Sequence, residues 1–167
     1  MKIQPIYAED WPQILEVQRQ GYSDLEPESL EVLQSKWVIS PSTCFVAKTN
    51  NDEVSGYLLS HPWFEDDFPK LGEVIATTPK TTGNLFLHDT CVSPNYSDSG
   101  IGSALVEYLL SIAKAEGFTS VTLISVQKTI AFWTKHGFTH VNNTEVNRYY
   151  GEGSYSMNLQ LKGEQGI

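Results

Sequence analysis

His88 and Asp89 stand side by side in an alternating, β-prone run, Leu85-Phe-Leu-His-Asp-Thr-Cys-Val-Ser-Pro94. Shortly after it comes Ser99-Gly-Ile-Gly-Ser103, and then an apolar segment of strong helical character. Amides at the start of a helix have no partner within it and carry partial positive charge, so the backbone alone can bind phosphate oxygens there. Glycines at 100 and 102 suit that role, because a side chain would block close approach. The two features describe a phosphate cradle beside a strand that carries proton-transfer groups. A ligand and a reacting centre therefore fall in one place.

Regular alternation along the strand puts Phe86, His88 and Thr90 on one face and Leu85, Leu87, Asp89 and Cys91 on the other. An imidazole titrates near neutrality and can take a proton from an attacking nucleophile, so His88 is the candidate base. Asp89 is the second ionisable candidate. On the apolar face it is expected to satisfy backbone donors near a strand irregularity rather than to take a substrate proton. Cys91 reads as a core residue and not as a nucleophile. His61, Trp63 and Tyr149 are candidate acceptor contacts, because aromatics stand there near carboxylates (Glu65-Asp66-Asp67 and Glu152) and can hold a cation.

The elements that position these residues follow from periodicity and punctuation. Residues 2–7 suit a strand, and Asp10 before Trp11-Pro12 reads as the N-cap of a first helix. A second helix is expected over Glu28–Ile39, with Leu30, Leu33 and Trp37 on one side and Pro41 ending it. Strands are expected at Thr43–Lys48 and Val54–Ser60, around the polar turn Asn50-Asn51-Asp52-Glu53. Residues 64–83 lack periodicity, and a loop that long is usually functional or mobile. Then follow strand 85–92, helix 100–116 closed by Gly117, strand 119–126, helix 128–136, a strand near 138–142 and a last strand 154–161.

A chain of 167 residues is one ordinary domain, here 1–167, with enough length for a sizeable core. The formal charge of −9 argues against nucleic acid and favours a cationic acceptor such as an amine. It also means that phosphates must be held by local backbone geometry. Cys44 and Cys91 give no disulfide framework. Without a signal-peptide pattern or an apolar run near membrane length, a cytoplasmic location with no membrane partner is expected. No metal-ligand cluster is expected either. A dinucleotide fold would need a third glycine or alanine where Leu105 stands, and a nucleotide P-loop would need Gly-Lys-Ser/Thr.

Val92-Ser93-Pro94, followed by Ser97-Asp98-Ser99-Gly100-Ile101-Gly102, resembles the GCN5-related N-acetyltransferase (GNAT) family. Its members end the fourth strand with a Val-x-Pro-like sequence, then Arg or Gln, then x-x-Gly-x-Gly/Ala and a helix. Ala131-Phe-Trp-Thr-Lys-His-Gly-Phe138 is similar to a second family segment, Ala-x-Phe-Tyr-x-x-x-Gly-Phe, at the usual separation. The likeness covers the C-terminal half; residues 1–80 match only in the order of their elements.

The resemblance implies an α/β fold with a mixed, mostly antiparallel sheet of about seven strands, a central βαβ coenzyme-binding unit and about four helices. It implies acetyl-coenzyme A as co-substrate. The pantetheine arm would pair with Cys91 and Val92 where strand 85–92 splays from strand 119–126. The loop Ser97, Asp98, Ser99, Gly100, Ile101, Gly102 and Ser103 would take the pyrophosphate, and Trp133 would either pack against the arm or fill the core. The implied reaction is direct attack of an amine, from a small molecule or peptide, on the thioester. The alternative is a degenerate acyl-coenzyme A sensor or interaction module.

Three departures favour that alternative: Ser97 replaces Arg or Gln, Asp98 stands where many members have Gly, and Trp133 replaces a tyrosine that can protonate the thiolate. His136, Tyr149, Tyr150 and Tyr155 are other candidate donors. Unassisted departure of a thiolate with a pKa of about 8.5 is the remaining route. An exposed C-terminal sheet edge is compatible with a homodimer.

Overall fold

The computed structural model describes residues 1–22, 26–79, 83–126, 129–143 and 145–161. Among these, strands β1 (Lys2–Pro5), β2 (Phe45–Lys48), β3 (Val54–Pro62), β4 (Asn84–Val92), β5 (Ser120–Ser125), β6 (Thr139–Val141) and β7 (Tyr155–Gln160) form one sheet. The helices are α1 (Trp11–Gly21), α2 (Leu30–Ile39), α3 (Ile101–Ala115), α4 (Ile130–Lys135) and α5 (Val146–Tyr150). The short α5 was not expected. Lys128, where the expected helix 128–136 opens, and residues 80–82 of the expected loop lie outside the described residues.

Sheet order is β1-β2-β3-β4-β5-β7-β6, and only β4 and β5 run parallel. The last strand thus lies inside the sheet, and the exposed edge at this end is β6. Apolar side chains sort into two cores. Leu58, Leu85, Leu87, Leu105, Leu109 and Trp133 fill the face covered by α3 and α4. Ile14, Leu33, Tyr57, Leu59 and Cys91 fill the face under α1 and α2.

Helix α2 starts two residues later than expected, because Ser29 caps it by accepting from the Val32 amide at 3.2 Å. Its buried stripe is Val32, Leu33 and Lys36, while Leu30 turns outward. Burying a lysine requires a partner, and Lys36 Nζ donates to the Glu73 carbonyl at 2.8 Å. Asp10 precedes α1 without capping it through its side chain. Its carboxylate instead accepts from the Tyr7 amide at 2.8 Å and pairs with Lys48 Nζ at 2.8 Å.

Helix α1 ends against β4 at a close approach. A methyl group on Gly21 would fall 2.1 Å from Cys91 Sγ, so the thiol must swing away or the helix must move. Gly21→Ala is therefore expected to destabilise the protein by about 1–3 kcal/mol, as overpacking does. Thermal unfolding should show the loss and its partial recovery in the double variant with Cys91→Ala. A single variant as stable as the wild type would mean that the contact yields without cost.

Candidate active site

The centre of the site is an irregularity in β4. Leu59 pairs with Asp89 and Ser60 pairs with Leu87, so His88 is the extra residue of a β-bulge. The alternation expected from the sequence fails there. Leu85 and Leu87 face α3, but Asp89 and Cys91 face α1 and α2. His88 and Asp89 consequently project to the same side of the sheet, as their partners in the α1–α2 segment show.

His88 Nε2 lies 2.6 Å from Glu28 Oε1, and both side chains are nearly inaccessible. Glu28 was missed in the sequence, where it reads as the first residue of a helix. It precedes the α2 cap instead, and Gln18 grips its backbone twice: Nε2 donates to Glu28 O at 3.1 Å, and Oε1 accepts from Glu28 N at 3.0 Å. The Gly72 amide donates to Glu28 Oε2 at 3.0 Å. Burial alone would raise the Glu28 pKa, yet His88, Lys36 and the Gly72 amide together bring it to about 2. An ionised Glu28 accepts the Nε2–H of His88, so whenever the ring is neutral it is Nδ1 that carries the lone pair. Nδ1 is buried and has no partner among the described residues.

Asp89 meets two phenols and not the backbone donors expected of it. Tyr22 Oη lies 2.5 Å from Oδ1 and Tyr57 Oη 2.5 Å from Oδ2. Tyr22 Oη is also 3.0 Å from the Thr90 carbonyl. Burial pushes the Asp89 carboxyl upward against the opposing pull of His88 and the phenols. Burial likewise pushes the Cys91 thiol up to about 12, so it stays protonated.

Parallel pairing of β4 with β5 runs from Asn84↔Ser120 to Leu87↔Leu123 and stops. Beyond it a cavity of about 200 Å³ opens between the strands, reached by Tyr22, Glu28, His88, Asp89, Phe132 and Trp133. Gly102 lines it too, and a Cβ there would meet Val92 and Phe132 at 3.6 Å. Gly100 caps α3 with a φ of 83°, and Asp98 takes a φ of 64° just before it. The first amide to reach back is that of Ala104, to Gly100 O at 3.0 Å, so the amides of Gly100, Ile101, Gly102 and Ser103 have no partner among the described residues. These features suit a coenzyme arm in the splay and a pyrophosphate at the loop. Ser97 and Ser99 turn their hydroxyls back to Pro94 O and Tyr96 O.

The residues expected to contact an acceptor are not brought to this cavity. His61 is fully buried on β3, with Nδ1 2.9 Å from Pro62 O and its ring against Phe86 and Trp63. Tyr149 packs on Phe68 and lies beneath Lys70 Nζ at 4.9 Å. Glu65 accepts from Asn158 and Gln160 on β7. The described part of the long loop is pinned through Glu65, Gly72 and Glu73. Of the other donor candidates, Tyr150 reaches the cavity but gives its hydroxyl to Pro69 O. His136 meets Ser103 Oγ at 3.0 Å, and Tyr155 stacks edge-on with His140.

A family model described as acetyltransferase (GNAT) family matches residues 5–138. The chain belongs to this family. A curated relative, glucosamine 6-phosphate N-acetyltransferase of Trypanosoma brucei brucei, is 36% identical over 52 residues. That match covers 31% of this chain and 35% of the relative, so the chain spans about a third of the length of the protein it matches. Among solved structures, Ard1 from Thermoplasma volcanium has a TM-score of 0.76 at 17% identity, covering 96% of this chain and 97% of that one. The GphF GNAT-like decarboxylase in complex with isobutyryl-CoA has a TM-score of 0.83 at 13% identity, covering 97% and 100%. These two likenesses establish the GNAT fold, seven strands included. Among the described residues no helix is long and apolar enough to cross a membrane, and no group of acidic, His and Cys residues could hold a metal ion.

Proposed function

We propose that this protein transfers an acetyl group from acetyl-coenzyme A to a primary amine of a small molecule or peptide by direct attack. The observation that carries the reading is the buried His88–Glu28 pair opening onto the same cavity as the β4–β5 splay and the start of α3. Acetyl-coenzyme A would supply the thioester carbonyl, held by the free β4 edge and the amides of residues 100–103. His88 Nδ1 takes the proton of the attacking amine, and Glu28 stabilises the imidazolium that forms. The protonated Cys91 supports direct attack over an acyl-enzyme.

Calorimetric titration with acetyl-coenzyme A, followed by a panel of amines, tests the reading. The panel includes amino-sugar phosphates, the acceptor class in the trypanosomal relative's name, and peptides with a free amino group. Micromolar binding with turnover of one class is the expected result. Failure to bind would remove the proposal.

A second reading, an acyl-coenzyme A sensor without transfer, draws on Asp98 and Trp133. Trp133 is buried among Phe132 and Phe138 and has no acidic proton. Binding without turnover of any amine would favour this reading. Asp98 itself gives a direct prediction, since its φ of 64° suits glycine and its charge opposes a phosphate. Asp98→Gly is expected to tighten coenzyme A binding about five- to tenfold, roughly a kcal/mol. Unchanged or weaker binding by calorimetry would place the pyrophosphate elsewhere.

A further inference from the structure

With an ionised Asp89, the single Tyr22 proton must be shared between Asp89 Oδ1 and the Thr90 carbonyl. Three oxygen–oxygen contacts of hydrogen-bond length converge there: Tyr22 Oη to Asp89 Oδ1, Tyr57 Oη to Asp89 Oδ2, and Tyr22 Oη to Thr90 O. The two phenols supply two protons. Tyr57 spends its proton on Oδ2, and Tyr22 can direct its own at either Oδ1 or Thr90 O. A third proton on Oδ1 completes the set: Asp89 then donates to Tyr22 Oη, and Tyr22 donates to the Thr90 carbonyl. A neutral carboxyl also suits a site where Tyr57 is fully buried and Asp89 nearly so.

Burial is the main influence that agrees with that count. Asp89 is faced by Tyr22 after α1, Glu28 before α2, Lys36 on α2, Tyr57 on β3, and His88 and Cys91 on β4. Glu28 pushes the Asp89 carboxyl up while His88 pulls it down, so these two neighbours partly offset one another. Desolvation raises the Asp89 carboxyl in the same direction as Glu28.

We propose that Asp89 stores a proton in the resting protein and, through Tyr22, delivers it to the thiolate that departs during acyl transfer. The inference rests on the acyltransfer reading. Tyr22, Asp89 and Thr90 all border the cavity where β4 parts from β5. The position from which the family commonly supplies a tyrosine holds Trp133, so the acid must come from elsewhere or be absent. As the carbon–nitrogen bond forms, His88 Nδ1 takes one proton from the amine. The carbon–sulfur bond then breaks with its electron pair going to sulfur. Sulfur receives the Tyr22 proton, and Tyr22 takes the Asp89 proton. His88 and Asp89 share no hydrogen bond, so after the products leave His88 gives its proton to solvent and Asp89 regains one from it, which restores the resting state.

Two measurements test this. The infrared spectrum of the unliganded protein at neutral pH should contain a neutral-carboxyl stretching band that Asp89→Asn removes and Tyr22→Phe keeps. Absence of such a band in the wild type would overturn the stored proton. In steady-state kinetics both variants should lose about 10- to 100-fold in kcat, with KM for acetyl-coenzyme A unchanged. Asn is the appropriate substitute because its amide group donates where the acid O–H does, so the fold should keep its melting temperature. Full kcat in Tyr22→Phe would overturn the delivery route. A wild type that acetylates no amine would overturn that route together with the proposed function, while the infrared band would still decide the stored proton.

Discussion

Substituting His88 with glutamine should lower kcat for amine acetylation by about 10²–10⁴-fold, or roughly 3–5 kcal/mol in the barrier. Coenzyme A affinity should not change, because the splay and the residue 100–103 amides are untouched. The size of the effect follows from the geometry of the pair. Glu28 is buried, ionised and clamped by Gln18 and the Gly72 amide, so the imidazole presents the same nitrogen in every molecule. Glu28→Gln keeps the shape but removes the charge that stabilises the imidazolium. A smaller fall is expected there, with an altered dependence of kcat on pH. Initial rates across pH, combined with calorimetry, separate the two variants. Equal rates for wild type and His88→Gln would take His88 out of the mechanism.

Acid should unfold this protein through His61 before it reaches the carboxylates. Burial drives the His61 pKa down to about 3, whereas in the unfolded chain it lies near 6.5. Below pH 6.5 the unfolded state binds a proton that the folded state refuses. Stability is therefore complete above that pH and falls as pH drops toward 3, by about 1.4 kcal/mol per unit and several kcal/mol in all. Glu28 acts in a lower window, between its ordinary value and about 2. Urea unfolding at pH 7, 5.5 and 4.5 should show the slope in the wild type. His61→Phe, which suits a ring packed on Phe86 and Trp63, should flatten it. An identical slope in both proteins would show that other groups control the acid limb.

What the sequence reveals of this molecule depends on whether a property is local. The glycine loop, the helix it opens and the Val92-Ser93-Pro94 strand end are local, and they were legible because spacing alone specifies them. The order of strands and helices was legible for the same reason, except α5, five residues with no periodicity to display. Glu28 and Tyr22 were not legible as partners of His88 and Asp89. They are separated from their partners by 60 and 67 residues, and only the packing of the α1–α2 segment over β4 brings them together. His61 and Trp63 looked available because aromatics beside acids suggest a binding surface. His61 lies on β3, a central strand where an imidazole is covered on both faces, and Trp63 follows that strand with its ring against the imidazole.

The bulge at His88 also sets a phase for anyone who would redesign β4. Positions toward α3 run 85, 87, 90, 92, so a core redesigned on every second residue would go wrong from 89 onward. The same offset makes His88 dispensable to the sheet. Removing that one residue would join the pairs Leu59↔Asp89 and Ser60↔Leu87 into an unbroken ladder and leave every other side chain on its own side. The shortened strand would be more regular than the natural one, and it would lack its base.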